Sequence, residues 1–423
     1  MENLLPEEIT LDILSRLPAV SVPPSSQVCK TWRRLIHGTE FADAHLRRLL
    51  QQQHQQFQQQ FYHEDLDQDD NLYHKASSSN NNNNNGGRGG GGGGGGGATK
   101  VSFIFLAGKS NVKPGYNSIY YGDYYYNEGL CYKTVKSLKE NRIKHLNTRA
   151  IVGSCNGLIC FCSENIGLIG NDPVYIINPI TWEEVNLPKF INNCSNSKHG
   201  PFLSQSFVMV SGFGYLPSTN EYKVVRISYR NTQPSGNVGR VQVYTLGSGS
   251  GWRKKGTISA YLLRPGSKFP SPGVFVDGAL HWLDFKNFRI VAFDLADEEF
   301  FVYPSPTCFQ SQHNAIFYYL TVLGGCLCVV HQNRRISLDI WSLKKKKKNS
   351  SDGTKEQDCE WSCKREFSIA WEPEYTHNYE PFALMNSGEL LFCSAQSQKS
   401  NSRRAGSQPS EQGKQFLSSG LVL

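Results

Sequence analysis

Twelve cysteines and eleven histidines are the residues of this 423-residue chain best suited to metal or nucleophilic chemistry. Cys160-Phe161-Cys162 and Cys326-Leu327-Cys328 each place two thiols on one face of a strand. Zinc knuckles separate their cysteines by about two to four residues and usually come in twos, so these pairs read as small core-facing hydrophobes. Cys359 and Cys363, on either side of Trp361, are spaced more like a knuckle, but no second knuckle accompanies them. His281 precedes Trp282 in one apolar run and His331 ends another. Neither is accompanied by the nucleophile elbow or paired carboxylates that a catalytic base serves, so both read as structural or surface side chains. Gly247-Ser248-Gly249-Ser250-Gly251 lies between strand-like runs, the place of a hairpin loop rather than a phosphate cradle. The Gly86–Gly97 tract has no strand before it and no Gly-Lys-Ser/Thr after it. The expectation is therefore no catalytic residue, no metal and no cofactor.

What remains is chemistry of contact, and the elements that would supply it begin at the N-terminus. Pro6 suits a first helical position, and Glu7 and Glu8 complement the positive end of a helix dipole. Ile9, Ile13 and Leu17 recur at helical spacing with Leu14 beside them; Arg16 falls in the last turn and Pro18 ends the helix. A second helix is expected to start at Pro24, because residues before proline avoid the α region, which keeps Val22 and Pro23 non-helical. It would carry Val28, Trp32, Leu35 and Ile36 on one face and close at Gly38, with Thr39 capping a short third helix. About 45 residues cannot bury so many large apolar side chains alone, which implies a partner protein docked by helix packing.

At these residues the chain resembles the F-box. Leu5-Pro6-x-x-Ile9, Leu14-x-x-Leu17-Pro18 and Val28-Cys29-Lys30-x-Trp32-x-x-Leu35-Ile36 match its pattern in type and spacing. The resemblance implies docking on the Skp-type adaptor of a cullin-RING ubiquitin ligase, with Leu5, Pro6, Ile9, Leu14, Leu17, Pro18, Val28, Cys29, Lys30, Trp32, Leu35 and Ile36 as the adaptor-binding residues. One segment departs from the family: where many relatives carry a Leu-Leu-Arg-Phe-like run, this chain has Val22-Pro23-Pro24-Ser25-Ser26-Gln27.

Residues 49–100 are biased in turn to Gln, acid, Asn and Gly, a composition that cannot offset its ordering entropy and reads as a flexible tether. From Val101 short β-like runs alternate with Gly, Pro and Asn; only Val135–Leu146 suggests a short helix. A loose repeat runs through them. A Gly followed by an apolar strand recurs at Gly157, Gly278, Gly325 and Gly388. In the first three copies a second strand follows, at Ile176-Ile177-Asn178, Val291-Ala292-Phe293-Asp294 and Leu338-Asp339-Ile340-Trp341. Asn178-Pro179, Asp294 and Asp339 read as turn and blade-closing polar groups. Such a repeat points to propeller blades, with a stacked β-sandwich as the alternative. The 121 residues from Gly157 to Gly278 leave room for two further blades.

This region has its own resemblance. Gly153-Ser-Cys-Asn-Gly-Leu, Gly212-Phe-Gly-Tyr, Tyr222-Lys-Val-Val-Arg, Val243-Tyr with Trp252, Gly278-x-Leu-His-Trp and Ile290-Val-Ala-Phe-Asp look like the F-box-associated domain of plant F-box proteins, which is similar to kelch-type propellers. The expected organisation is a small all-α F-box of about three helices at 1–48, a tether at 49–100, a mostly-β domain at 101–395 and a disordered tail at 396–423. Together the resemblances imply a non-catalytic substrate receptor, with an unknown target held by the β domain.

Two other classes remain open: a propeller enzyme or sugar-binding domain acting outside a ligase, and a nucleic-acid binder. Tyr116, Tyr120, Tyr121 and Tyr124–Tyr126 can line a recognition surface or pair within strands. The formal charge is +8, but Lys344–Lys348 supply five of those charges, and the run reads as a solvated loop. The acidic, amphipathic start is unlike a signal peptide, and no apolar run approaches the ~18 residues of a spanning helix. The expectation is an intracellular chain of the cytoplasm and/or nucleus, off the membrane, with reduced cysteines.

Overall fold

The computed structural model describes residues 6–18, 21–48, 51, 99–108, 117–127, 130–137, 150–162, 169–170, 172–179, 181, 183–190, 207–230, 238–264, 272–309, 316–333, 337–346, 360–370, 378–384, 390–395, 416–417 and 420–422. Contacts divide the chain into two units, Met1–Lys100 with Tyr124–Tyr132, and Val101–Asp123 with Lys133–Leu423.

In the helical module, Pro6 stands just outside α1 (Glu7–Leu14) in an extended conformation, and its carbonyl receives the Thr10 N–H at 3.0 Å. The helix ends at Leu14, earlier than Pro18, because tighter bonds take over: Arg16 N–H donates to Ile13 O and Leu17 N–H to Leu14 O, each at 3.1 Å. The expectation for the next segment is corrected. Val22 and Pro23 are helical, in α2 (Val22–Ser25), with Ser21 at its N-cap. In a first turn the missing proline N–H costs no bond, and packing of Val22 against Leu14 and Phe41 outweighs the pre-proline bias. Ser25 Oγ donates to Ser21 O at 2.8 Å and Ser26 Oγ to Pro23 O at 2.7 Å.

The chain then leaves the helix. Cys29 is extended (φ −154°, ψ 169°) and its Sγ accepts the Trp32 N–H at 3.4 Å, so α3 (Lys30–Ile36) begins only after it. Val28 is left outside both helices. Gly38 N–H donates to Leu35 O at 3.0 Å, and its carbonyl accepts the Ala42 N–H at 3.3 Å. Gly38 rather than Thr39 therefore opens α4 (residues 39–48). Leu14, Val22 and Phe41 form the module's core.

The β domain is a succession of small sheets. The first contains β1 (Thr99–Gly108), β2 (Asn117–Asn127) and β3 (Leu130–Ser137). The second contains β4 (Ala150–Cys155), β5 (Leu158–Cys162), β7 (Pro173–Ile177) and β8 (Glu184–Asn186). The third has β9 (Phe207–Leu216), β10 (Glu221–Arg230), β11 (Gly239–Thr245) and β12 (Trp252–Ile258), with β6 (Ile169–Gly170) parallel to β9 at its edge. The fourth is β13 (Val274–Val276), β14 (Ala279–Asp284), β15 (Arg289–Asp294) and β16 (Phe300–Tyr303). The fifth is β17 (Ile316–Leu323), β18 (Cys326–Asn333), β19 (Ser337–Lys346) and β20 (Glu360–Ala370). The sixth pairs β21 (Asn378–Leu384) with β22 (Leu390–Ala395) and the short β23 (Phe416–Leu417), while β24 (Gly420–Val422) joins the first sheet beside β1.

First strands of the second to sixth sheets pack in chain order, β4 against β9, β9 against β13, β13 against β17 and β17 against β21, and β21 then meets β24, the C-terminal strand at the edge of the first sheet. This is the radial succession of a β-propeller, not two stacked sheets. Three of the four repeated glycines now have a cause; the fourth, Gly388, lies outside the described residues. Asn156-Gly157, Asp277-Gly278 and Gly324-Gly325 all have positive φ and form the two-residue turns between the first and second strands of their sheets. Gly214 and Gly273 serve close approach instead. A Cβ on Gly214 would lie 2.4 Å from Phe275, and one on Gly273 would lie 2.4 Å from Trp282. Buried side chains of the third and fourth sheets, among them Val225, Val243, Leu280, Trp282 and Phe293, share one core.

Three further expectations change. One five-stranded sheet, not two blades, fills the span between the second and fourth sheets. Val135–Ser137 belong to β3 rather than a helix, and residues 138–149 lie outside the described residues. The tail carries β23 and β24, where apolar Phe416, Leu417, Leu421 and Val422 add to sheet edges; residues 396–415 lie outside the described residues. Among the described residues no helix is long and apolar enough to cross a membrane.

Candidate functional site

The helical module separates its apolar residues into two sets. Leu14 is fully buried, and Leu17, Trp32, Leu35 and Ile36 are half-buried against the Leu14–Val22–Phe41 core. These residues hold the module together. Ile9, Ile13 and Val28 face outward, with 48%, 46% and 65% of their surface exposed. Pro6, Pro18, Cys29 and Lys30 are exposed as well, and Leu5 lies outside the described residues. Ile13 is the residue that motif matching misses; its signal is its place one turn beyond Ile9 on α1.

Ion pairs brace the module. Arg34 of α3 pairs with Glu7 at the start of α1, and Arg48 of α4 pairs with Asp12. Arg16 Nη2 reaches Asp12 Oδ2 at 2.7 Å. The Arg16 hydrogen bond, with Arg48 adding its charge, holds the Asp12 carboxyl below the usual carboxylate range. These contacts are solvent-exposed and screened, so each adds little to stability. Their effect is to orient the helices that carry Ile9, Ile13 and Lys30.

In the β domain the polar residues singled out by type are structural. Asn178 Oδ1 accepts the Thr181 N–H at 3.2 Å, and Asp294 Oδ1 accepts the Ala296 and Asp297 N–H groups at 2.7 and 3.0 Å. Asp339 Oδ1 accepts from Ser368 Oγ across the β19–β20 pair at 2.6 Å. His331 stacks on Tyr318 with ring centroids 4.8 Å apart. Cys160, Cys162 and Cys328 are buried, and no group of three or more metal-capable side chains occurs among the described residues. Gly247, Gly249 and Gly251 have positive φ in the β11–β12 hairpin loop. Tyr116 lies outside the described residues; the other five tyrosines fall on β2.

The lysine run is corrected in part: Lys344–Lys346 continue β19, with Lys345 Nζ 5.3 Å from the Tyr303 ring and 5.8 Å from the Trp361 ring. Lys347 and Lys348 lie outside the described residues. Lys345, Trp361, Asp277 and Cys326 rim a cavity of about 290 Å³ over the buried His281.

Two buried ionic clusters were not anticipated. Lys223 Nζ donates to Leu295 O at 2.7 Å and Glu298 Oε1 at 3.0 Å, and Arg253 and Lys255 approach the same carboxylate at 2.6 and 2.5 Å. Arg226 Nη1 meets Asp172 Oδ1 at 2.8 Å, with its guanidinium 3.8 Å from the Trp252 ring centroid. The available signal was Lys223 and Arg226 flanking the apolar pair Val224-Val225 within β10.

Residues 124–402 match the family described as F-box associated beta propeller domain, and residues 3–41 match the F-box-like family. Neither is a catalytic family. An F-box protein of Arabidopsis thaliana is 33% identical over 217 residues, covering 46% of this chain and 47% of the relative. The chain belongs to the plant F-box proteins with a C-terminal F-box-associated β-propeller. An F-box/kelch-repeat protein of the same plant is 25% identical over 206 residues, 46% of this chain and 48% of the relative. The F-box protein CPR1, also from Arabidopsis thaliana, is 24% identical over 307 residues, 67% of this chain and 70% of its own length. This F-box protein spans about half the length of the first two relatives.

Proposed function

We propose that this F-box protein is the substrate-recognition subunit of a Skp–cullin–F-box ubiquitin ligase. Its F-box docks the Skp-type adaptor, and its propeller holds the target protein for ubiquitination. The observation that carries the reading is the outward set Ile9, Ile13 and Val28 on a module in which Leu14, Leu17, Val22, Trp32, Leu35, Ile36 and Phe41 are already packed together. Pro6, Cys29 and Lys30 lie beside these residues in sequence and are exposed with them. Leu14, Leu17, Trp32, Leu35 and Ile36 act by holding the helices in place, and Leu5 and Pro18 flank α1. Burying side chains of this size yields about 1.5–3 kcal/mol each on docking, before the cost of association.

The receptor is non-catalytic. Its contribution is proximity, holding a target lysine close to the charged conjugating enzyme that the ligase recruits. It works without a cofactor in the cytoplasm and/or nucleus.

The test is a pull-down of the intact chain with a Skp-type adaptor. Ile9→Asp with Val28→Asp is expected to abolish recovery while leaving the thermal melting of the chain unchanged. Leu17→Ala with Trp32→Ala is expected to lose both recovery and helical stability. No adaptor recovered by the unmutated chain would overturn the proposal.

A further inference from the structure

Cys363 resembles half of a metal knuckle in sequence; Cys359, the other half, lies outside the described residues, and the described thiol that Cys363 meets is Cys308. Cys308 lies in the 3-10 turn Thr307–Phe309, which leads from the fourth sheet toward the fifth. Cys363 lies on β20, the edge strand of the fifth sheet, and β20 packs against that turn. The two thiol side chains hydrogen-bond to each other. The sulfur of Cys363 also accepts from the Thr307 hydroxyl and from the backbone N–H groups of Thr307 and Cys308. Both cysteines are reduced and half-buried, open enough for a small oxidant to reach them. Both rest against the cluster containing Val276, Phe309 and Trp361.

Hydrogen-bond donors converging on one sulfur favour its anion, and the thiolate is the reactive form. The hydrogen bond from Cys308 leads in drawing the Cys363 thiol down to about 6 from an ordinary 9.0. The Cys308 thiol is pushed up by the same contact. Elsewhere burial has the opposite effect: Cys155 and Cys328 are raised to about 12 and remain inert thiols. A reactive thiolate touching a second thiol is the arrangement of a nucleophile with its resolving partner.

We propose that Cys308 and Cys363 form a peroxide-sensitive dithiol that closes reversibly to a disulfide, joining edge strand β20 to the turn that follows the fourth sheet. The Cys363 thiolate attacks one oxygen of hydrogen peroxide. The O–O bond breaks, leaving Cys363 as a sulfenic acid and releasing hydroxide, which takes up a proton to become water. The Cys308 sulfur then attacks the Cys363 sulfur, the S–O bond breaks, and the departing hydroxide combines with the Cys308 proton as a second water. Two thiols give up two electrons and two protons, and one peroxide becomes two waters. A dithiol reductant reverses the bridge by exchange. This site is independent of the ligase reading.

The experiment exposes the reduced full-length chain to equimolar hydrogen peroxide, blocks the remaining thiols, and maps disulfide-linked tryptic peptides by mass spectrometry. The expected product is an intramolecular Cys308–Cys363 link that dithiothreitol removes. In Cys308→Ser, dimedone should label Cys363 as a persistent sulfenic acid; in Cys363→Ser, the link should be absent. Iodoacetamide labelling of unmutated Cys363 should show a midpoint near about pH 6, read without any variant. Oxidation spread over other cysteines while this pair stays reduced would overturn the proposal, as would links formed only between chains.

Discussion

At the residue scale, the strongest constraints in this protein are charges and a histidine that the propeller has taken out of water. His281 is buried in β14, and burial, with Lys345 adding repulsion, lowers its pKa from 6.5 to about 4. The unfolded chain therefore binds this proton more readily between those two values. The stability contributed by neutral His281 is complete above about pH 6.5 and is lost as pH falls through about 4, a change of about 3 kcal/mol. His281→Gln should flatten that part of the pH dependence of the melting temperature, measured by circular dichroism. Glu298 behaves differently: although burial opposes its charge, hydrogen bonds led by Arg253 hold its carboxyl at about 2. Its contribution is complete above about pH 4.5 and is lost as pH falls through about 2, a window that begins where that of His281 ends. Glu298→Ala leaves Lys223 buried without its carboxylate, and chemical denaturation should report a loss of about 3–5 kcal/mol.

At the element scale, the helices of the F-box and the first strands of the blades are shaped by different limits. Short α2 exists because Val22 has a core to enter and the Ser21, Ser25 and Ser26 groups satisfy the local backbone. Replacing Pro23-Pro24-Ser25-Ser26 by Leu-Leu-Arg-Phe is expected to tighten adaptor binding, read as a lower dissociation constant by calorimetry. Strand β9 is limited instead by how close β13 comes. Gly214 has no room for a methyl group beside Phe275 and Leu295. Gly214→Ala should cost about 1–3 kcal/mol in unfolding free energy as the third and fourth sheets are forced apart. The same substitution at Gly249, in an exposed loop with open space around it, meets no neighbour and only backbone strain.

At the scale of the whole molecule, the last strands of the chain complete sheets that begin elsewhere. β24 pairs with β1 through Phe103–Val422, Ile104–Leu421 and Phe105–Gly420, and it also lies against β21. The first sheet thus depends on residues more than three hundred positions away, a long loop whose closure entropy grows only slowly with length. Removal of residues 416–423 should increase amide hydrogen exchange in β1 and lower the melting temperature, while leaving exchange in the fourth sheet unchanged.

The sequence by itself determined the organisation of this protein: a helical F-box, and a β domain whose repeating Gly-apolar runs are blades. The helical character of the module and the blades follow from local chemistry, since the helical spacing of Ile9, Ile13 and Leu17 and the Asn156-Gly157 and Asp277-Gly278 turns are written in neighbouring residues; that the module is an F-box came from its resemblance at Leu5-Pro6-x-x-Ile9 and Val28-Cys29-Lys30-x-Trp32. Tertiary structure alone decided which apolar residues of the F-box are core and which are outward. Leu14 and Ile13 are adjacent and equally apolar, and only the positions of Val22 and Phe41 bury one and expose the other. It likewise decided that Lys223 and Arg226 turn inward to Glu298 and Asp172, that Cys363 meets Cys308, and that Phe416–Leu417 and Gly420–Val422 form strands. Each of those contacts joins residues far apart in the chain, and pairing across such distances is set by packing rather than by local pattern.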